Sequence, residues 1–202
     1  MDPITVFPDR NIRPSGIISG KFVSLGIHHF IAACRFVQNL PYGINSDRDD
    51  QMILFTEKKG TCTTKHAVIA TLAAELDLPV QKNIGIYAMT EDIVTGTGAI
   101  LKKYDLPYVP MIHCFLVYGE FRVDLTEGNS NGKNKPLDTF LHTGQVAPNI
   151  SAKDEYLLYR KALKDVILKR PELSGIEIGQ ILHAREDGLK LLKDNLNKNP
   201  VS

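Results

Sequence analysis

Apolar residues recur at helical spacing along two stretches in the first half of the chain. The first stretch, residues 27–40, ends at Pro41, and the second, residues 62–76, is rich in Ala and Leu and ends before Pro79. Spacings of three and four residues place apolar side chains on one helical face, and Pro does not continue a helix. The pattern therefore predicts two amphipathic helices. Its apolar positions are Phe30, Ala33, Val37, Val68, Ile69, Leu72, Ala73 and Leu76.

A second pattern follows, in which apolar and β-branched residues form short runs. Residues 81–89 place Ile84, Ile86 and Ala88 at alternate positions, and residues 111–118 and 121–125 are two apolar runs on either side of a Gly-Glu pair. Two such runs joined by a short glycine-containing turn are typical of a β-hairpin. We therefore predict one strand followed by a hairpin.

The two ends of the chain and one long connection have a different character. Residues 1–20 are rich in Pro and Gly and are predicted to form an N-terminal surface arm, while residues 127–150 are predicted to form a polar loop. Amphipathic patterns over residues 153–169 and 174–196 predict two closing helices. Helices and an antiparallel sheet are thus largely segregated along the chain, which predicts an α+β fold.

Chain length sets the scale of this fold. The chain has 202 residues, of which 43% are hydrophobic and 23% charged, within the ordinary globular range. Because domains hold about 150 residues, we predict a single domain over residues 1–202, with its core over residues 27–126 and a helical elaboration over residues 151–202. A chain of this length can bury enough surface to fold without a disulfide or a metal.

The charge balance narrows the choice of partners. The chain has 24 Lys and Arg against 23 Asp and Glu, a net charge of +1, which excludes binding of nucleic acid through bulk positive charge. Lys21 interrupts the most apolar early stretch, so neither a secretion signal nor a membrane span is predicted. The charged run at residues 47–50 is interpreted as a solvated turn. We expect a cytoplasmic protein without a nucleic-acid or membrane partner.

The three cysteines differ in their surroundings. Cys34 lies among apolar residues and is interpreted as a core residue, and an odd count of three is not a disulfide framework. Cys62 follows Gly60-Thr61 at the start of the second predicted helix, among polar neighbours. Unpaired N–H groups and the helix dipole favour a thiolate there, and thiol pKa values at such positions fall to about 3.5–7.5. Cys62 is therefore the candidate nucleophile, the alternative being a small buried residue.

A thiolate that attacks a carbonyl also needs a group that returns a proton to the leaving group, and His113 is the candidate. On its own face of the apolar run 111–118, it is the ionisable side chain. A two-residue turn at Gly119-Glu120 would place His113 and Asp124 on one face of the hairpin, where a carboxylate can orient the imidazole. Separate structural roles stay open, with His113 as a packed histidine and Asp124 as the cap of the following turn.

The same segments carry a family resemblance. The predicted helix begins Gly60-Thr61-Cys62-Thr63-Thr64-Lys65-His66-Ala67 and is followed by Leu76-Asp77-Leu78-Pro79-Val80, and His113 precedes Phe121-Arg122-Val123-Asp124. These motifs, in the order Cys, His, Asp, resemble the transglutaminase-like superfamily over residues 28–126. The resemblance implies a papain-like core in which the cysteine helix packs on an antiparallel sheet, with extra C-terminal helices.

The resemblance also implies thiol chemistry on amides, with Cys62 as nucleophile, His113 as base and Asp124 as the residue that orients the base. We expect a thiol-dependent amide hydrolase or acyltransferase that forms a thioester, with hydrolysis favoured. Its substrate would be a peptide, a protein or a small amide, and neither a metal nor another cofactor is implied. The oxyanion hole needs a donor besides the N–H of Cys62. Candidates for this donor are Gln38, Tyr42 and Gln51.

Two other hypotheses remain open. Cys62 and His66 lie four residues apart on one predicted helix, and His113-Cys114 could add ligands for zinc, although neighbouring strand residues point to opposite faces. Alternatively, a catalytically inactive module would use the same cleft to bind a peptide or protein. Selective alkylation of Cys62 favours the enzyme, whereas stoichiometric metal in the purified protein favours the zinc site.

Overall fold

A computed structural model describes residues 2–127 and 130–198 of the chain. These residues adopt an α+β fold. The helices are α1 (Ile17–Ser24), α2 (Phe30–Asn39), α3 (Ile53–Glu57), α4 (Cys62–Glu75), α5 (Thr97–Tyr104), α6 (Ala152–Asp165) and α7 (Ile178–Lys198). The strands are β1 (Gln81–Met89), β2 (Val109–Tyr118), β3 (Phe121–Val123) and β4 (His142–Gln145), and they form one sheet in the order β3-β2-β1-β4.

The predicted hairpin and its two-residue turn are confirmed. In the antiparallel pairing of β2 with β3, Tyr118 lies opposite Phe121 and Leu116 lies opposite Val123. The turn between the strands contains Gly119 at a φ of +57°, a conformation that glycine adopts without the clash of a Cβ. The predicted second run extends further than β3, which ends at Val123, so Asp124 lies one residue beyond the end of the strand.

The chain divides into two compact units. The first contains Met1–Ile84, Cys114–Asn129 and Gln145–Ala152, and the second contains Gly85–His113, Ser130–Gly144 and Lys153–Ser202. In the first unit, apolar residues of α1, α2 and α4 share a core with residues of the hairpin. Buried members of this core from α4 and the hairpin are Val68, Ile69, Leu72, Ala73, Leu116 and Val123.

Residues 2–20 do not form the surface arm that their Pro and Gly content predicts. Ile4 and Ile18 are fully buried, and Phe7 and Ile12 nearly so. The ring of Phe7 packs edge-on against that of Phe30, with a centroid distance of 5.8 Å. Ile4 lies in a short 3-10 turn, Phe7 and Ile12 follow it outside any helix or named strand, and Ile18 lies in α1, so these buried residues share no single helical or strand period.

A carboxylate from α4 caps the N-terminus of α1. Glu75, the last residue of α4, accepts hydrogen bonds from the backbone N–H of Ile18 at 3.1 Å and of Ser19 at 2.6 Å. A Cβ at Gly16 would lie 2.2 Å from the carboxyl carbon of Glu75 and would displace it. The N–H groups of a first helical turn lack helical acceptors and carry the positive end of the dipole, so this carboxylate stabilises α1.

The Glu75→Ala substitution should lower the free energy of unfolding by about 1–2 kcal/mol, because it leaves two first-turn N–H groups without their acceptor. Urea unfolding followed by circular dichroism measures the change. Glu120→Ala, which removes an exposed carboxylate from the hairpin turn, is the matched control and should change stability by less than about 0.5 kcal/mol. Equal midpoints for the two variants would contradict the capping role.

The second unit has its own apolar core. It contains residues of β1, α5, β2, α6 and α7, including Met89, Ile100, Met111, Tyr159 and Ile181. Tyr159 is fully buried, and its hydroxyl donates a hydrogen bond of 2.7 Å to the carbonyl of Pro110. The two predicted C-terminal helices are present as α6 and α7, and the predicted loop at 127–150 contains the short strand β4.

The charged run at residues 47–50 does more than form a solvated turn. A side-chain oxygen of Asp49 accepts a hydrogen bond of 2.8 Å from the N–H of Ala152, the first residue of α6. The carbonyl of Asp49 accepts another, of 2.9 Å, from the side-chain amide of Asn149. Asp49 therefore ties this run to a segment about one hundred residues away, a contact for which the local sequence pattern has no signal.

Candidate active site

The candidate nucleophile lies at the start of α4 in the first unit. Cys62 is the first residue of this helix, and Thr61 is its N-cap residue. Cys62 is 9% exposed, whereas Cys34 and Cys114 are 0% exposed. Burial raises the pKa of the Cys34 thiol, in keeping with its predicted place in the core. All three cysteines are thus buried, and Cys62 is the least deeply buried of them.

A polar network holds the N-terminus of α4. The hydroxyl of Thr64 accepts a hydrogen bond from the N–H of Thr61 at 3.1 Å and donates one to the side-chain oxygen of Asn45 at 2.8 Å. The amide of Asn45 in turn donates to the carboxylate of Glu57 at 3.0 Å. Hydrogen bonds from Ser46 and Asn45 lower the pKa of Glu57, which keeps this acceptor charged. The residue before Cys62 is therefore held by Thr64, whose hydroxyl is held in turn by Asn45 and Glu57 from two preceding segments.

The segment that precedes Cys62 pairs with the segment that follows α2. The N–H of Gly60 donates to the carbonyl of Pro41 at 3.1 Å, and Tyr42 forms a parallel bridge with Gly60. A Cβ at Gly60 would lie 2.7 Å from the hydroxyl oxygen of Thr64, so a larger residue would disturb the cap of α4. Tyr42, one of the predicted oxyanion candidates, therefore has its backbone beside a residue two positions before Cys62.

The other two oxyanion candidates are in different surroundings. Gln51 is exposed and lines a small cleft together with Thr64 and Asn149. Gln38 is half-buried, and its backbone carbonyl accepts a hydrogen bond of 3.0 Å from the ammonium group of Lys65. Among the three candidates, Tyr42 is the one whose backbone pairs with the segment leading into α4.

Lys65 is a buried charged residue of α4 that the sequence pattern does not predict. Its side chain is fully buried, and its ammonium group donates to the carbonyls of Gln38 and Leu40 at the C-terminal end of α2. Burial lowers the pKa of Lys65 to about 8, while the negative charge of Asp124 acts in the opposite direction. A lysine in the polar first turn of a predicted helix has no local signal of burial, because its acceptors are 25 and 27 residues earlier in the chain.

Asp124 caps the turn that follows β3. Its Oδ1 accepts hydrogen bonds from the N–H of Thr126 at 2.8 Å and from the hydroxyl of Thr126 at 2.7 Å. The same oxygen lies 3.4 Å from Nε2 of His66. The structural role considered for Asp124 is therefore present, and its carboxylate also lies beside an imidazole of α4.

This imidazole belongs to His66. It connects Cys62, the predicted nucleophile, with the segment that carries Asp124. Its ring is 0% exposed. Nε2 accepts a hydrogen bond of 2.8 Å from the N–H of Leu125, and Nδ1 lies 2.7 Å from the carbonyl oxygen of Cys62. A ring nitrogen that accepts an N–H carries no proton, so these contacts assign the neutral tautomer in which Nδ1–H donates to Cys62.

The three predicted catalytic residues are divided between the two units. Cys62 and Asp124 belong to the first unit, where His66 links the segments that carry them. His113 is a β2 residue that is 2% exposed and is the last residue of the Gly85–His113 segment of the second unit. The role of His113 beside Cys62 and Asp124 stays a prediction.

The side chains considered as zinc ligands have contacts within the protein. Both ring nitrogens of His66 already contact backbone groups, and the sulfur of Cys114 lies 3.8 Å from the hydroxyl of Thr63. Within the part of the chain that the structure describes, no group of three or more His, Cys, Asp or Glu side chains is arranged to hold a metal ion. A metal bound by His66 would therefore displace one of these two contacts.

Comparison with known proteins adds no relative. No family model matches the chain, and neither a curated protein nor a solved structure does. The resemblance to the transglutaminase-like superfamily therefore depends on the motifs around Cys62, His113 and Asp124. Across residues 2–127 and 130–198, no helix has both the length and the apolar character needed to span a membrane.

Proposed function

We propose that this protein is a thiol-dependent amide hydrolase or acyltransferase with Cys62 as its nucleophile. The observation that supports it most directly is the link through His66, which contacts the carbonyl of Cys62 and the N–H of Leu125, next to Asp124. The predicted nucleophile and the predicted orienting carboxylate are thereby tied to one buried side chain. The greater exposure of Cys62 compared with the other cysteines supports the same role.

The proposed reaction passes through a thioester. The thiolate of Cys62 attacks the amide carbonyl carbon, and the N–H of Cys62 together with a donor near Tyr42 stabilises the oxyanion. The C–N bond breaks as protonated His113 gives its proton to the leaving nitrogen, and Asp124 stabilises the imidazolium. Water then attacks the thioester while His113 takes its proton, which releases a carboxylic acid and restores the thiolate. An amine in place of water would give a new amide.

The fold that this proposal needs is the papain-like arrangement, in which the cysteine helix packs on an antiparallel sheet. The shared core of α4 and the β2–β3 hairpin in the first unit agrees with this arrangement. The substrate class in this proposal is a peptide, a protein or a small amide, and none of the proposed steps uses a metal or another cofactor.

Thiol profiling tests the proposal. In native protein at about pH 6, limiting iodoacetamide should alkylate Cys62 at least about tenfold faster than Cys34 or Cys114, because each unit of pKa below 8.5 raises the thiolate fraction about tenfold there. Peptide mass spectrometry measures the three rates. In urea the three thiols should react alike, which controls for intrinsic reactivity.

The His113→Ala variant tests whether His113 activates Cys62. Loss of the imidazolium should slow the alkylation of Cys62 at about pH 6 and leave the slow rates of Cys34 and Cys114 unchanged. Native protein in which Cys62 reacts no faster than the buried thiols would contradict the enzyme and favour the inactive binding module. Equal rates at Cys62 with and without His113 would remove His113 from the mechanism.

A further inference from the structure

His66 stands between two of the proposed catalytic residues and has a polar contact on each side of its ring. Nδ1 lies 2.7 Å from the carbonyl of Cys62 in the first turn of α4, and Nε2 accepts the N–H of Leu125 at 2.8 Å. Leu125 is itself fully buried, so water does not supply a replacement acceptor for its N–H. The ring is thus the connection between the start of α4 and the turn that begins at Asp124.

We propose that His66 is a positioning residue whose neutral imidazole holds the Asp124–Leu125 turn at a fixed place relative to Cys62. This inference depends on the proposed function, since it concerns the geometry of the same site. The ring does not touch the substrate or exchange a proton with it. Its effect is to set where the carboxylate of Asp124 lies when that carboxylate orients the catalytic base.

The N–H of Leu125, which donates to Nε2, favours a neutral ring, whereas the nearby carboxylate of Asp124 favours a protonated one. The groups of the first unit that bear on this point are the carboxylate of Asp124, whose Oδ1 lies 3.4 Å from Nε2, and the buried ammonium of Lys65, which interacts with Asp124. A proton on Nε2 would face the N–H of Leu125, donor against donor. It would also draw the ring toward Asp124 Oδ1, an oxygen that already accepts two hydrogen bonds from Thr126.

Three substitutions separate the two contacts of the ring. In His66→Gln the side-chain oxygen replaces Nε2 as the acceptor for Leu125, while in His66→Asn the side-chain amide replaces Nδ1 as the donor to Cys62. His66→Phe keeps an aromatic ring but loses both contacts. Ile69→Val is the matched control, because Ile69 is a fully buried apolar residue of the same helix.

The variants are compared through the alkylation rate of Cys62 across a pH series. We expect His66→Gln to stay within about threefold of the native rate at about pH 6, and His66→Asn and His66→Phe to fall by about tenfold or more, because small displacements of catalytic groups cost this much. Their rates should recover toward the native value at higher pH, where the thiolate forms without help. Ile69→Val should keep the native pH profile whatever its stability.

The possible outcomes distinguish this inference from the proposed function. If native Cys62 shows no selective reactivity, the proposed function fails, whereas selective native reactivity with an unchanged profile in His66→Asn overturns the positioning role alone. Nitrogen-15 spectra of the histidine rings in the native protein add a readout that needs no variant. A protonated Nε2 on His66 at neutral pH would also overturn the positioning role.

Discussion

The Cys62→Ala variant is expected to form no acyl-enzyme and to lose turnover by about 10⁴-fold or more, because the proposed covalent pathway has no substitute for its nucleophile. The measurement starts from native protein incubated with a cell extract and quenched in acid. Intact-mass and peptide spectra should then find an acyl group on the peptide that contains Cys62. The mass of that group would identify the chemical class of the substrate.

Substitutions of the other two cysteines are the controls for the Cys62→Ala result. Cys34→Ala and Cys114→Ala remove thiols that are 0% exposed, and both should still carry the acyl group on Cys62. An adduct that persists in Cys62→Ala would assign the chemistry to another residue. Native protein that remains unmodified in varied extracts, with no selective alkylation, would contradict the enzyme and leave a peptide-binding role for the same surface.

The parts of the fold that were predicted well are those that a local pattern determines. Helix α4 begins at Cys62 as predicted, since Gly60 and Thr61 mark the start of a continuous apolar period. Strand β1 spans Gln81–Met89 as predicted, and the hairpin register follows from the two-residue turn. In each case the signal lies within a few neighbouring residues, which is the range over which helical and strand periods act.

The parts that were not predicted depend on contacts between distant segments. Ile4 and Ile18 are buried although the Pro- and Gly-rich segment around them predicts a surface arm. Lys65 is buried because carbonyls at the end of α2 accept its hydrogen bonds, and Asp49 reaches the start of α6. Local periodicity contains no information on such partners, so a charged side chain is assigned to the surface by default.

The candidate site also has some features that the local sequence predicts and others that depend on contacts between distant segments. The position of Cys62 at a helix start follows from its neighbours in the sequence, and the residues after Asp124 indicate the turn that it caps. The link through His66 was not predicted, because its partner Leu125 is 59 residues away. The spacing of His66 from Cys62 indicates a shared helical face. It does not indicate the hydrogen bond that Nε2 of His66 accepts from the N–H of Leu125.

Asp124 has two separable roles, and a pair of variants distinguishes them. In Asp124→Asn the side-chain oxygen can still accept the two hydrogen bonds that Thr126 donates in the native protein. The charge that would stabilise the imidazolium of His113 is lost. In Thr126→Val the side chain keeps its shape and Asp124 keeps its charge. The substitution removes the hydroxyl that donates to Asp124 at 2.7 Å.

We therefore expect Asp124→Asn to lower turnover by about 10²–10⁴-fold, since a neutral amide does not hold the imidazole in the productive tautomer. Its unfolding free energy should change by less than that of Thr126→Val, which loses about 1 kcal/mol with its buried hydrogen bond and keeps most of its turnover. Turnover measured beside urea unfolding for both variants gives the comparison. Native turnover in Asp124→Asn would show that the carboxylate serves only the turn, and the proposed triad would then reduce to Cys62 and His113.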